Sequence, residues 1–278
     1  MDTGIAVLGG SGGMTPPALG RAVEERGFES LFFAEHTHMP VESRRRDGGS
    51  AMDYAHTYDP FVALSGVAAV TATLKLGTSV CLVTERDPIV LAKEVASLDR
   101  LCGGRFLFGV GAGWNRLEMA NHGTDPRTRM ALLRDRMRAM REIWTTEEAE
   151  YHGEFAAFGP LWSWPKPLQR PHPPVLVGGN GPGTEDRVLD FGDGWLPQAS
   201  LLASADEFKR RAESLRKRAA DAGRGPIPIT IFEVEPQRRA LDAFAAAGAD
   251  RCLFALEQSM TADQTLAALD QWARLVQR

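Results

Sequence analysis

The sequence predicts an α/β protein whose parallel strands close into a single (β/α)8 barrel. Three observations predict it. Short apolar runs alternate with helix-patterned segments from one end of the chain to the other, the alternation that generates a parallel sheet. Eight such runs can be counted, the number that closes a barrel. The length of 278 residues suits one barrel of ~250 residues, so residues 1–278 are read as a single domain.

The expected strands span residues 5–8, 30–34, 75–83, 105–110, 174–177, 194–196, 227–234 and 251–255. Several are near-continuous apolar stretches such as Leu31-Phe32-Phe33, as strands buried on both faces must be. The segment 15–26 opens with Pro16 and Pro17, which the first helical turn tolerates. Segments 60–71 and 88–101 each follow an aspartate, Asp59 and Asp87, whose carboxylate can cap the first free N–H groups. Segment 126–144 carries Leu133, Met137, Met140 and Trp144 at helical spacing, a stripe read as core. Further helical patterns lie at 185–189, 203–222, 236–247 and 261–277. Two stretches interrupt the alternation. Residues 37–58, after strand 2, form a polar insertion with Arg44-Arg45-Arg46, read as a solvated loop. Residues 148–173, before strand 5, are rich in proline and aromatics, including Trp162 and Trp164.

Apolar residues make up 44% and charged residues 24%, the balance of a soluble globular chain. A net charge of −4 argues against a general nucleic-acid binder. The three cysteines, Cys81, Cys102 and Cys252, are scattered and imply neither a disulfide framework nor a zinc ribbon. The start lacks a basic segment followed by an apolar one, and no apolar run approaches ~20 residues. A cytoplasmic location is therefore expected.

Barrel enzymes place their chemistry at the carboxyl ends of the strands. There the sequence offers Gly9-Gly10-Ser11 after strand 1, Glu35-His36-Thr37-His38 after strand 2, Gly109-Val110-Gly111-Ala112-Gly113-Trp114-Asn115 at strand 4, and Gly178-Gly179-Asn180-Gly181-Pro182-Gly183 after strand 5. Such a rim suits a planar, phosphate-bearing cofactor better than a metal. The strand-4 glycines read as clearance for that cofactor, and the strand-5 glycines, which precede a helix, as its phosphate site. A dinucleotide fingerprint started at Gly10 fails at Thr15, where a small residue is needed. A metallohydrolase built on His36 and His38 lacks further ligands at the other strand ends. No G-x-S-x-G occurs, and Cys81 and Cys252 lie in apolar strands.

The ordered set Glu35-His36, Leu76-Gly77-Thr78-Ser79-Val80, Asp87-Pro88, Leu98-Asp99-Arg100-Leu101, Gly103-Gly104-Arg105-Phe106, Gly109 to Asn115 and Val177-Gly178-Gly179-Asn180 resembles the luciferase-like monooxygenase superfamily. The likeness is in particular to its deazaflavin-dependent (coenzyme F420) oxidoreductases, and it covers nearly the whole chain. It implies a TIM-type barrel with the cofactor ring across the strand ends. It also implies a non-prolyl cis peptide at Ser79–Val80 that supports the ring, and a phosphate near Gly178 and Gly179. Gly113, Asn115, Val177 and Asn180 would complete the cofactor site. Glu35 and His36 would contact the cofactor and handle protons, with Glu35 orienting His36 or bonding the ring. Trp114 and Ser11 would face the substrate. Trp114 occupies what looks like the place of an acidic residue in the sugar-phosphate-oxidising members, which argues against that substrate. The resemblance further implies a homodimer and a separate enzyme that reduces the cofactor. Two other activities fit the same residues: an FMN-dependent monooxygenase using O2, and a non-catalytic flavin-binding barrel.

Overall fold

The computed structural model describes residues 1–10, 13–45, 51–256 and 259–276. In chain order it contains β1 (Asp2–Val7), α1 (Pro16–Glu25), β2 (Ser30–Phe33), α2 (Pro60–Ala68), β3 (Lys75–Thr78), β4 (Cys81–Leu82), α3 (Pro88–Leu101), β5 (Phe106–Gly111), α4 (Arg116–Asn121) and α5 (Arg129–Thr145). There follow β6 (Ala149–His152), β7 (Ala157–Leu161), β8 (Val175–Gly178), α6 (Thr184–Phe191), β9 (Gly194–Leu196), α7 (Ala205–Asp221), β10 (Thr230–Phe232), α8 (Arg238–Ala246), β11 (Arg251–Leu256) and α9 (Ala262–Val276). The strands pair in parallel in the order β10-β11-β1-β2-β3-β5-β8-β9. Single parallel bridges, Trp195 with Ile229 and Gln198 with Phe232, bring β9 to β10 and close the barrel.

Local chemistry accounts for the elements. Asp59 accepts from the N–H groups of Phe61 and Val62, and Asp87 from those of Ile89 and Val90, so α2 and α3 begin where those carboxylates stand. The α5 stripe is buried as core, and Trp144 Nε1 donates to the Ala92 carbonyl of α3. Along each strand, side chains alternate between two apolar layers. Ala6, Phe32, Leu107, Leu176, Leu196, Phe232 and Leu253 fill the barrel interior. Leu31, Phe33, Val175 and Val177 point outward beneath the helices. The three cysteines are buried and free, and burial pushes the Cys252 thiol up to about 12.

Three features depart from the sequence reading. Segment 75–83 is not one strand: β3 stops at Thr78, the cis peptide that the resemblance implied joins Ser79 to Val80, and β4 resumes pairing with β5. The insertion 148–173 is not all loop, since β6 and β7 form an antiparallel hairpin on α5. Asp135 of α5 anchors it, accepting from Tyr151 Oη and from the N–H groups of Phe155 and Ala156. Helix α4, absent from the sequence reading, leaves directly from the end of β5.

The alternating glycines of β5 have a purpose within the barrel wall that the sequence reading did not give them. A Cβ on Gly109 would lie 1.8 Å from the Thr78 carbonyl oxygen, and one on Gly111 would lie 2.5 Å from Val80 Cγ2. On Gly178 of β8 it would lie 2.7 Å from Val80 Cγ1. These glycines clear space for the break between β3 and β4. Val80 is seated between Gly111 and Gly178, and Thr78 Oγ1 ties down the opposite side by donating to the Gly109 carbonyl over 2.6 Å.

Gly109→Ala is expected to destabilise the protein by about 3 kcal/mol or more, because the obstructing atom is backbone and cannot move aside. Gly225→Ala, where a Cβ meets nothing within 4 Å, is the control. Thermal unfolding of the two variants checks this, and equal melting temperatures would contradict it.

Candidate active site

Strand β2 delivers Glu35 and His36 to the rim, and successive side chains leave a strand in opposite directions. Glu35 is buried away from the barrel mouth. It accepts from the Leu82 N–H and from Arg86 Nε, both at 2.6 Å. Arg86 also pairs with Asp59 and Glu94 and lies over the Phe61 ring. Glu35 is thus the anchor that ties the β2 end to β4 and α2, and it does not orient His36.

Glu118 orients His36. His36 Nδ1 lies 2.7 Å from Glu118 Oε2, and Oε1 of the same carboxylate accepts from the Thr37 N–H at 3.1 Å. On the other side of the ring, Trp114 Nε1–H donates to His36 Nε2 at 3.3 Å. The two partners together assign the tautomer: Nδ1 carries the proton and Nε2 presents its lone pair. The rings of Tyr54 and Trp114 stand 5.2 and 5.7 Å from the imidazole and wall it in. A cavity of about 210 Å³ lined by Glu35, His36, Thr37, Thr57 and Asp59 adjoins this group. A larger one, of about 400 Å³, lies at Arg238, Gln271, Arg274 and Leu275, on α8 and α9, and none of its lining residues belongs to the rim constellation.

Glu118 owes its position to Asn115. The Asn115 side chain caps α4 by accepting from the Leu117 and Glu118 N–H groups, and its Nδ2 donates to Ser43 Oγ at 2.8 Å. The Asn115 side chain thus holds α4 against the insertion after β2. Glu118 went unread because α4 has only six residues, too few for a periodicity. The signal was present as an N-cap residue followed three positions later by a glutamate, Asn115-x-x-Glu118.

Gly113, with φ +74°, turns the chain from β5 toward α4 beside Glu85. Both carboxyl oxygens of Glu85 are buried without a hydrogen-bond partner, and His122 Nε2 stands 3.7 Å from Oε2. Burial first, then the charges of Glu118 and Glu35, push this carboxyl up to about 8. Thr37 Oγ1 links His122, at 2.6 Å, to His38, at 2.9 Å. Among the described residues no three His, Cys, Asp or Glu side chains converge as a metal site would require.

At the end of β8, Gly179 takes φ +119° and Gly183 takes φ +72°. The Asn180 side chain is used twice by β9, donating to the Gln198 carbonyl and accepting from the Gln198 N–H. Val177 packs in the outer apolar layer, away from the mouth. Ser79 Oγ, beside the cis peptide, is buried and has no partner. Ser11 lies outside the described residues. The structure therefore gathers His36, Trp114, Val80, Ser79, Gly178 and Gly179 at the rim. Glu35, Asn115, Val177 and Asn180 have protein-internal partners.

A family model for luciferase-like monooxygenases matches residues 16–252. The chain belongs to this family. The uncharacterized protein Rv0953c of Mycobacterium tuberculosis is 38% identical over 98% of both chains. An F420-dependent glucose-6-phosphate dehydrogenase of Kineococcus radiotolerans is 32% identical over 62% of this chain and 49% of its own. An FMNH2-dependent dimethylsulfone monooxygenase of Pseudomonas putida is 30% identical over 59% and 47%. Among solved structures, the monooxygenase RslO1 of Streptomyces bottropensis superposes with a TM-score of 0.81 over 100% of this chain and 99% of that one, at 20% identity. An F420-dependent secondary alcohol dehydrogenase superposes with a TM-score of 0.77 over 99% and 98%, at 16% identity. These likenesses establish the barrel fold of the luciferase-like family for this chain. Among the described residues no helix is long and apolar enough to cross a membrane.

Glu85 generates a pH prediction for this luciferase-like protein. Its folded-state pKa, about 8, lies above its ordinary 4.5, so the folded chain holds a proton that the unfolded chain releases. The stabilisation is full below about 4.5 and is lost as pH rises to about 8. Glu85→Gln keeps the shape and removes the titration. Its melting temperature should gain on the parent's across that interval, whereas parallel curves would contradict the assignment.

Proposed function

We propose that this chain is a coenzyme F420-dependent oxidoreductase in which His36 carries the proton that accompanies hydride transfer to or from a small organic substrate. The observation that carries this reading is the His36 tautomer. An imidazole whose Nδ1–H is held by a buried carboxylate and whose Nε2 accepts only a long bond from Trp114 can act as a general base. When bound, the deazaflavin supplies a hydride acceptor or donor at its C5.

The residues present fit such a group. Val80, seated by Gly111 and Gly178, offers an apolar support for a flat ring, and the unpartnered Ser79 Oγ lies beside it. The turn at Gly178 and Gly179 and the first N–H groups of α6 offer a phosphate site. In the oxidative direction, the substrate hydroxyl gives its proton to His36 Nε2 while its carbon loses hydride. In the reductive direction Nε2 returns that proton to the nascent alkoxide. Glu118 compensates the imidazolium charge in either case. Trp114 and Tyr54 limit water at the ring and make the substrate side apolar. Self-association into a homodimer and a separate cofactor-reducing enzyme belong to the same proposal.

The F420-dependent relatives, and an F420-dependent alcohol dehydrogenase that matches the barrel over almost its full length, support this choice. A second reading, an FMN-dependent monooxygenase, draws on the FMNH2-dependent relative and on the full-length match to RslO1.

Fluorescence titration with oxidised F420 and with FMN separates the two. F420 binding is expected. Tight binding of FMN alone would favour the monooxygenase, and binding of neither would defeat both. His36→Ala and Glu118→Gln should keep cofactor affinity within about threefold yet lower kcat by roughly 10²-fold or more on any accepted substrate. Unchanged turnover in His36→Ala would remove its proton-transfer role, and retained binding with no turnover on any substrate would indicate a flavin-binding barrel.

A further inference from the structure

Beside the turn that carries Trp114, the protein buries a carboxyl group for which the fold supplies no hydrogen bond. The Glu85 side chain, just after β4, is 1% exposed, and neither of its oxygens has a hydrogen-bond partner. Among the described residues no other carboxyl group has both oxygens buried and unbonded. A leucine or methionine would fill a similar volume without orphaning two polar atoms. Packing alone therefore does not account for a glutamate here.

The position of Glu85 is fixed by its neighbours. Thr84 Oγ1 donates to the Ala112 carbonyl at 3.1 Å, and Thr124 Oγ1 donates to the Thr84 carbonyl at 2.6 Å. These bonds clamp Thr84 to both ends of the segment that contains Trp114, Asn115 and Glu118. Glu85 Oε1 lies 3.4 Å from where a Cβ on Gly113 would stand. His122 connects this carboxyl to solvent: its Nε2 stands 3.7 Å from Oε2, and its side chain is 28% exposed. A small rotation of the carboxyl turns that approach into a hydrogen bond. Thr37 joins His122 to the catalytic pair, since its hydroxyl bonds His122 Nε2 while its N–H donates to Glu118 Oε1. The charges of Glu118 and Glu35 oppose ionisation of Glu85. Arg86 favours it, but that guanidinium is taken by Glu35, Asp59 and Glu94. Glu85 is thus a neutral acid, with one oxygen to give a proton and the other to accept one.

We propose that Glu85 is a proton relay between the Glu118–His36 pair and the solvent-exposed edge of His122. The relay rests on the reading of His36 as a general base and deepens it. In the oxidative direction the substrate C–H bond breaks and its electron pair leaves as hydride to the cofactor, while the O–H proton passes to His36 Nε2. With ligand over Nε2, and with Tyr54 and Trp114 beside the ring, the positive charge leaves through Nδ1. Glu118 accepts there. Glu85 then accepts on one oxygen and gives its own proton from the other, and His122 releases one proton to water. Each alcohol oxidised sends one hydride to the cofactor and one proton to solvent.

The first test needs no cofactor. Exchange of the His36 Nδ1 proton with water is followed by NMR on imidazole-labelled protein, in the parent, in Glu85→Gln and in His122→Phe. Both variants should slow that exchange by about tenfold or more, because each blocks the relay at a different place. A purely structural role would loosen the site and speed exchange, so equal or faster exchange in both variants overturns the relay. The second test uses stopped flow with a pH indicator on any alcohol that reduces F420. In the parent the proton should appear with hydride transfer. In both variants hydride transfer should keep its rate while the proton lags by about tenfold, and imidazole in solution should abolish the lag. Proton and hydride appearing together in both variants overturns the relay. Slowed exchange in both variants with no reduction of F420 by any alcohol leaves the relay standing and defeats the deazaflavin reading.

Discussion

The bond from His36 Nδ1 to the buried Glu118 carboxylate is the interaction on which the site depends. It joins the end of β2 to the start of α4, two pieces of chain 82 residues apart. Glu118 is fully buried, and removing one partner from such a pair typically costs about 3–5 kcal/mol. The ring is therefore held, not merely placed nearby. Its second nitrogen is left with one weak partner, the Trp114 N–H, which substrate can displace. Asn115 serves the same end from behind: by capping α4 and bonding Ser43, it fixes the helix that carries Glu118.

The barrel wall supplies the other half of the site through close packing. Gly109, Gly111 and Gly178 admit the Thr78 carbonyl and the Val80 side chain at distances no Cβ would allow. A ring lying across the mouth would meet Val80, not the glycines. The shape of the rim is thus set by contact between neighbouring strands. On the outer side of the same rim, Glu35 has become structural, because Arg86 and the Leu82 N–H use both of its oxygens.

How legible the chain was follows from what each residue interacts with. All eight barrel strands could be read because buried parallel strands are uniformly apolar and the helices between them begin at caps such as Asp59 and Asp87. The break at Ser79–Val80 was accessible only through family resemblance, since an apolar run does not announce where its pairing stops. Helix α4 was too short to show a period, and Glu118 was missed with it. Glu35 and Asn115 were assigned to the cofactor by the resemblance, which does not say what else bonds them: Arg86 and the Leu82 N–H hold Glu35, and Ser43 and the start of α4 hold Asn115. Val177 faces the helices by strand alternation, which its register against Leu176 could have shown.

The tautomer of His36 is the most direct measure of this arrangement. Long-range ¹H–¹⁵N correlation on imidazole-labelled protein at neutral pH should show His36 protonated at Nδ1 and bare at Nε2. Glu118→Gln should abolish that preference while the other histidines keep theirs. A His36 ring protonated at Nε2 in the parent protein would contradict the site described.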